Sequence, residues 1–101
     1  MQSIGINIGS SSLKMVIIEN ETITWSTVIP HEGDFVDAVN RVLNSVDIPE
    51  GLPALVTGTE GRYLFNINNA IEPLCIEEAL QHKGLQADAV VTMGGEDLIV
   101  Y

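Results

Sequence analysis

"TITWSTVIPHEGDFVDAVNRVLNSV", from Thr22 to Val46, changes its apolar period part-way through. Before Pro30, Ile23, Trp25 and Thr27 alternate with Thr22, Thr24 and Ser26, the pattern of a strand with one buried face. After Asp34, Phe35, Val36, Val39, Val42, Leu43 and Val46 fall at helical spacing on one face. Asp34 and Asp37 stand near that helix's positive end, and Pro49, Gly51 and Pro53 stop it. A strand that runs into an amphipathic helix predicts helices layered on a sheet.

Upstream, Gln2–Ile8 and Leu13–Glu19 read as strands, with turns at Gly9–Ser12 and Asn20–Glu21. Three antiparallel strands therefore precede the helix. Downstream, "ALVT" at Ala54–Thr57 reads as a short buried strand, and a second helix runs from about Glu72 to Lys83. Pro73 suits that helix's first turn and Gly84 its stop. Ala89–Met93 is then a strand, and Asp97–Tyr101 begins another. The predicted order is β-β-β-α-β-α-β: a mixed five-stranded α/β sheet with two crossover helices. The final "DLIVY" reads as cut off.

The 101 residues hold 14 acids against four bases, Lys14, Arg41, Arg62 and Lys83, for a formal net charge of −10. Such a surface repels nucleic acid and anionic lipid. A phosphate site in it must rely on backbone N–H groups, a metal ion or Lys14. No apolar run approaches the roughly 20 residues of a membrane span. The start lacks the basic segment and cleavage site of a secretory signal. The one cysteine cannot form an internal disulfide, which suits a reducing cytoplasm, the expected location. Cys75 lies among Ile71, Leu74 and Ala79 and is expected to be buried. Trp25 is expected in the core or at an interface, and Glu77 and Glu78 on a solvated helix face. Arg62 is either a surface charge or a lobe contact. His31 and His82 stand apart, without metal spacing, and are expected to be exposed.

Two glycine-bearing stretches carry the chemistry. In "GINIGSSSLK", Gly9 follows a strand, Ser10–Ser12 add hydroxyls and Lys14 a charge. In "VVTMGGEDLIV", Gly94 and Gly95 again follow a strand. Glycine lets backbone N–H groups approach a phosphate, but a lone Gly-Ser hairpin turn is more often only a turn. Neither stretch has the spacing of a Walker A or dinucleotide-binding fingerprint.

Taken in order, "GINIGSSSLK", "VTGTEGR", "IEPLCIEEAL" and "VVTMGGEDLIV" resemble the CoA-substrate-specific enzyme activases. These include the activators of 2-hydroxyacyl-CoA dehydratases and the ATPase subunits related to benzoyl-CoA reductase. The resemblance spans nearly the whole chain and covers the first lobe of such a protein. It implies a ribonuclease H-like fold of the actin, Hsp70 and sugar kinase superfamily, with residues 1–101 as the N-terminal lobe of an activase-type ATPase domain. The first loop resembles D-x-G-S-x-x-x-K, with Gly9, Ser10 and Lys14 matching and Asn7 in the aspartate's place. "TGTEGR" keeps Thr57, Gly58, Gly61 and Arg62 of a T-G-Y-G-R-like segment, with one residue inserted. Glu72 and Cys75 match a helix start in which Ile76 replaces a histidine. The last stretch resembles D-I-G-G-Q-D-x-K through Gly94, Gly95 and Asp97, while Thr92, Glu96 and Ile99 depart from it.

The resemblance implies a nucleotide site made by Asn7, Gly9, Ser10, Ser11, Lys14, Gly94, Gly95 and Asp97, with ATP and Mg²⁺ as the family's cofactors. Asn7 and Thr92 offer neutral oxygens where carboxylates would organise Mg²⁺, so nucleotide binding is expected to be weak or absent. No catalytic residue or metal ligand is assigned. The family's iron–sulfur cluster is not expected in this chain. Expected partners are the remaining lobe or a homodimer mate, and a dehydratase or reductase. Two functions stay open. One is the N-terminal lobe of an ATP-dependent activator of a CoA-thioester dehydratase or reductase, inactive alone. The other is a degenerate lobe that binds or scaffolds without ATP turnover. An unrelated small α/β domain is the remaining alternative.

Overall fold

The computed structural model describes residues 1–46, 51–58, 68–70, 72–93 and 98–100. Strands β1 (Gln2–Ile8), β2 (Ser12–Glu19) and β3 (Thr22–Pro30) form the expected antiparallel meander. Helix α1 (Phe35–Ser45) follows, then β4 (Ala54–Thr57), β5 (Asn68–Asn69), α2 (Glu72–Lys83), β6 (Val91–Met93) and β7 (Leu98–Val100). The main sheet has the order β3-β2-β1-β4-β5, with β4 parallel to β1 and β5 parallel to β4. Helix α1 thus carries the chain from one edge, across β2 and β1, to the far side of β1.

Strict alternation builds the core. Ile4, Ile6 and Ile8 from β1, Leu13, Met15 and Ile17 from β2, and Val56 from β4 are buried. Ala38, Val39 and Val42 of α1 are buried in the same core. The expected apolar face of the helix is displaced slightly. Val36 is half exposed, and Ala38 is fully enclosed. A small side chain at that position lets the helix axis approach the sheet. Asp34 caps the helix, its Oδ1 accepting the Asp37 N–H at 3.1 Å.

The mixed five-stranded sheet is present, but its fifth member is Asn68–Asn69, not Ala89–Met93. The outer edge of β4 is already taken: Leu55 and Val56 pair with Asn68 and Asn69, and Ala70 N–H donates to the Val56 carbonyl at 3.0 Å. Strand β6 instead pairs antiparallel with β7 in a ladder of its own. Helix α2 therefore leads out of the main sheet; it is not a second crossover within it. It keeps the predicted bounds yet contains no buried residue, and Cys75, expected inside, is half-buried.

One irregularity resets β3. The register shifts between Ile17 and Ile18, so that Ile18 pairs with Ile23 but Ile17 pairs with Trp25. Thr24 is the extra residue of a β-bulge, and its Oγ1 donates to the Ile17 carbonyl at 3.4 Å. The slip breaks the expected alternation. Trp25 and Ile29 pack against the core, whereas Ile23 lies 59% exposed. Among the described residues no helix is long and apolar enough to cross a membrane.

Candidate functional site

Alternation that sends Ile6, Ile8, Leu13, Met15 and Val56 inward sends Asn7, Lys14 and Thr57 to the opposite face. Asn7 is the register partner of Lys14 on one side and of Thr57 on the other. An ammonium, an amide and a hydroxyl thus form a polar row across β2, β1 and β4, one residue from the end of β1. The Thr57 hydroxyl is shielded from solvent and makes no hydrogen bond among the described residues. A buried hydroxyl without a partner is costly, and it is the open valence of this row.

Gly9–Ser11 make the β1–β2 connection. The Gly9 N–H donates to the Ser12 carbonyl at 3.0 Å, and Lys14 Nζ donates to the same oxygen at 3.4 Å. A Cβ on Gly9 would stand only 3.0 Å from Lys14 Nζ. Glycine at this position makes room for the ammonium to fold back over the loop. Ser10 is half-buried beside it and Ser11 is exposed. At the end of β4, Gly58 has φ +100° and its backbone lies against Ile8, where any Cβ would overlap the Ile8 carbonyl. The exits of β1 and β4 are thereby pressed together.

His31, expected to be exposed, is only 3% exposed. The β2–β3 ladder runs as far as Ser12 opposite Pro30, which delivers the next residue to the loop. The His31 backbone N–H donates to the Ser11 carbonyl at 3.1 Å, and ring Nε2 lies 2.7 Å from the Gly9 carbonyl oxygen. Its ring also meets Phe35 edge-on, with centroids 6.2 Å apart. His82 is exposed, as expected.

The structure brings Asn7, Gly9, Ser10, Ser11 and Lys14 to one end of β1. Gly94, Gly95 and Asp97 lie outside the described residues, as do Gly61, Arg62 and Glu96, so the second half of the implied nucleotide site lies there too. Thr92 is half-buried on β6, in the separate ladder. Two members of the site carried no functional assignment in the sequence. Thr57 joins it through the β1–β4 register and His31 through the β2–β3 register, and long-range pairing leaves no local sign.

The assembled groups suit an anion. One ammonium and several hydroxyls can donate to phosphate oxygens. A divalent cation would meet a neutral amide beside an ammonium, a poor fit for hard Mg²⁺. Among the described residues no group of three or more His, Cys, Asp or Glu side chains is placed to hold a metal.

No family model and no curated protein matches the sequence. Solved structures do match its architecture. Component A of the (R)-2-hydroxyglutaryl-CoA dehydratase of Acidaminococcus fermentans aligns over 99% of this chain and 42% of its own, with 21% identity and a TM-score of 0.79. The activator of the 2-hydroxyisocaproyl-CoA dehydratase of Clostridium difficile, solved with bound ADPNP, aligns over 99% and 40%, with 24% identity and a TM-score of 0.71. The fold is shared with these two proteins. It is a ribonuclease H-like α/β lobe, as the resemblance implied. A Sinorhizobium meliloti protein assigned as a 2-dehydro-3-deoxygalactonokinase matches 58% of the chain and 21% of its own, with 20% identity and a TM-score of 0.50. The chain spans about two fifths of the length of the first two of these proteins.

Proposed function

We propose that the chain is the N-terminal lobe of an activase-type ATPase domain, acting with a CoA-thioester dehydratase or reductase. The observation that carries this reading is the shared fold over 99% of the chain with an activator that binds ADPNP. In this reading the Gly9–Ser11 loop and the Lys14 ammonium receive nucleotide phosphate, with Gly94, Gly95 and Asp97 as the second loop. Asn7 and Thr92 supply no carboxylate for Mg²⁺, so nucleotide binds weakly and the lobe alone does not turn ATP over. The rest of an activase domain, or a homodimer mate, would complete the site. Cys75 is not assigned to an iron–sulfur cluster, and the proposed location is the cytoplasm.

Asn7 itself favours a second reading. An amide paired with Lys14 and Thr57 makes an anion seat without a metal site, as suits a degenerate lobe that binds or scaffolds without turnover. Calorimetric titration with MgADPNP separates the two. The native protein is expected to register little heat at millimolar nucleotide. In a full-length context, the double variant Asn7→Asp, Thr92→Asp is expected to gain Mg²⁺-dependent affinity by about tenfold or more, worth roughly 1.4 kcal/mol. Tight binding by the native protein would mean that its metal ligands lie elsewhere, Asp97 being the first to test. No gain in the double variant would likewise mean that Asn7 and Thr92 are not what weakens the site.

A further inference from the structure

We propose that His31 is a positioning residue for the first glycine loop, acting as a neutral imidazole with its proton on Nε2. Three of its hydrogen bonds fix the ring and the loop. Gly33 N–H lies 3.0 Å from Nδ1 and can only donate, so Nδ1 must present its lone pair. The ring proton therefore sits on Nε2 and is donated to the Gly9 carbonyl, 2.7 Å away. The His31 N–H meanwhile holds the Ser11 carbonyl at 3.1 Å. One buried residue thus grips both ends of the Gly9–Ser11 connection from behind. With those two carbonyls pinned, the loop cannot rotate its peptide planes freely. The Ser10 hydroxyl and the Lys14 ammonium above Gly9 then share one arrangement.

The function of this grip rests on the phosphate-binding reading of the loop; the grip itself does not. Two substitutions divide the ring's bonds. In His31→Asn, the amide oxygen stands where Nδ1 did, keeping the Gly33 bond and losing that to Gly9. In His31→Gln, the amide nitrogen stands where Nε2 did and can still donate to Gly9.

Nitrogen-15 NMR of the imidazole in the native protein needs no variant and is expected to show a protonated Nε2 and a hydrogen-bonded, unprotonated Nδ1. The opposite tautomer would overturn the proposal. Backbone amide shifts of Gly9 to Ser12 are expected to move in His31→Asn and to return near native values in His31→Gln. Unchanged loop shifts in His31→Asn, or equal changes in both variants, would also overturn it. Inorganic phosphate, titrated by the same amide shifts, is expected to bind His31→Asn roughly three- to tenfold more weakly than the native protein, the range of one hydrogen bond. If the native loop shows no phosphate response while the tautomer and the Gln rescue hold, the phosphate reading fails and the positioning role stands.

Discussion

Helices α1 and α2 have 11 and 12 residues and relate to the rest of the molecule in opposite ways. Helix α1 buries Ala38, Val39 and Val42 in a core shared with β1, β2 and β4. Helix α2 has no fully buried residue: Cys75, Ile76 and Leu80 are half-buried, and Leu74 is 54% exposed. Consecutive apolar residues Leu74, Cys75 and Ile76 cover about 200° of its circumference, so its apolar surface is spread more widely than that of α1. What defines α2 is its ends: Glu72 and Pro73 in the first turn, His82 and Lys83 in the last, and Gly84 beyond. Whether a segment is helical and what it packs against are written in different residues. A free helix of this length is marginal in water, so α1 draws on full burial that α2 has only in part.

The sharpest way to break that contrast is to truncate one leucine in each region. Leu13→Ala, in the fully enclosed core beneath α1, is expected to cost about 2–5 kcal/mol in urea unfolding. Leu74→Ala on α2 is expected to stay within about 0.5 kcal/mol of the native protein. Comparable losses at the two sites would mean that α2 is packed in solution as firmly as α1. Gly58→Ala comes next, because it forces a side chain into the left-handed region and onto the backbone of Ile8. Backbone strain alone should cost about 1–3 kcal/mol, and amide exchange should report loosening along β1 and β4 before β2 and β3. A thermally neutral Gly58→Ala would dismiss the close approach of the two strand exits. The smallest effect has the opposite sign. Asn20 and Glu21 both have positive φ in the β2–β3 turn, at 50° and 68°. Glu21→Gly is expected to raise stability by about 0.5–1 kcal/mol, since Asn-Gly favours this turn geometry. A lower unfolding midpoint would show that Glu21 makes an interaction that outweighs its strain.

Legibility followed range. The change of period between Thr22 and Val46, and the punctuation around Glu72–Lys83, are local signals, and both led to the observed elements. The bulge at Thr24 is not local: it exists only relative to Ile17, so Ile23 was read on the wrong face. Asn68–Asn69 is too short for any period, yet it fills the sheet edge that Ala89–Met93 was expected to occupy. In the site, Asn7, Gly9, Ser10, Ser11 and Lys14 are close in sequence and close in space. His31 looked like a lone exposed histidine because its partners are the carbonyls of Gly9 and Ser11, which any residue type would supply. A main-chain acceptor leaves no trace in the letters.

The His31–Gly9 bond reaches across 22 residues and has a practical corollary for anyone who would borrow the turn. Residues Ile6 to Lys14 contain every letter of the glycine–serine motif but not the ring that holds its shape. Transplanted into a foreign hairpin, the segment would bring its hydroxyls and its lysine without their arrangement. The portable unit extends at least from β1 through Gly33, with the one-residue slip at Thr24 preserved so that His31 arrives in step.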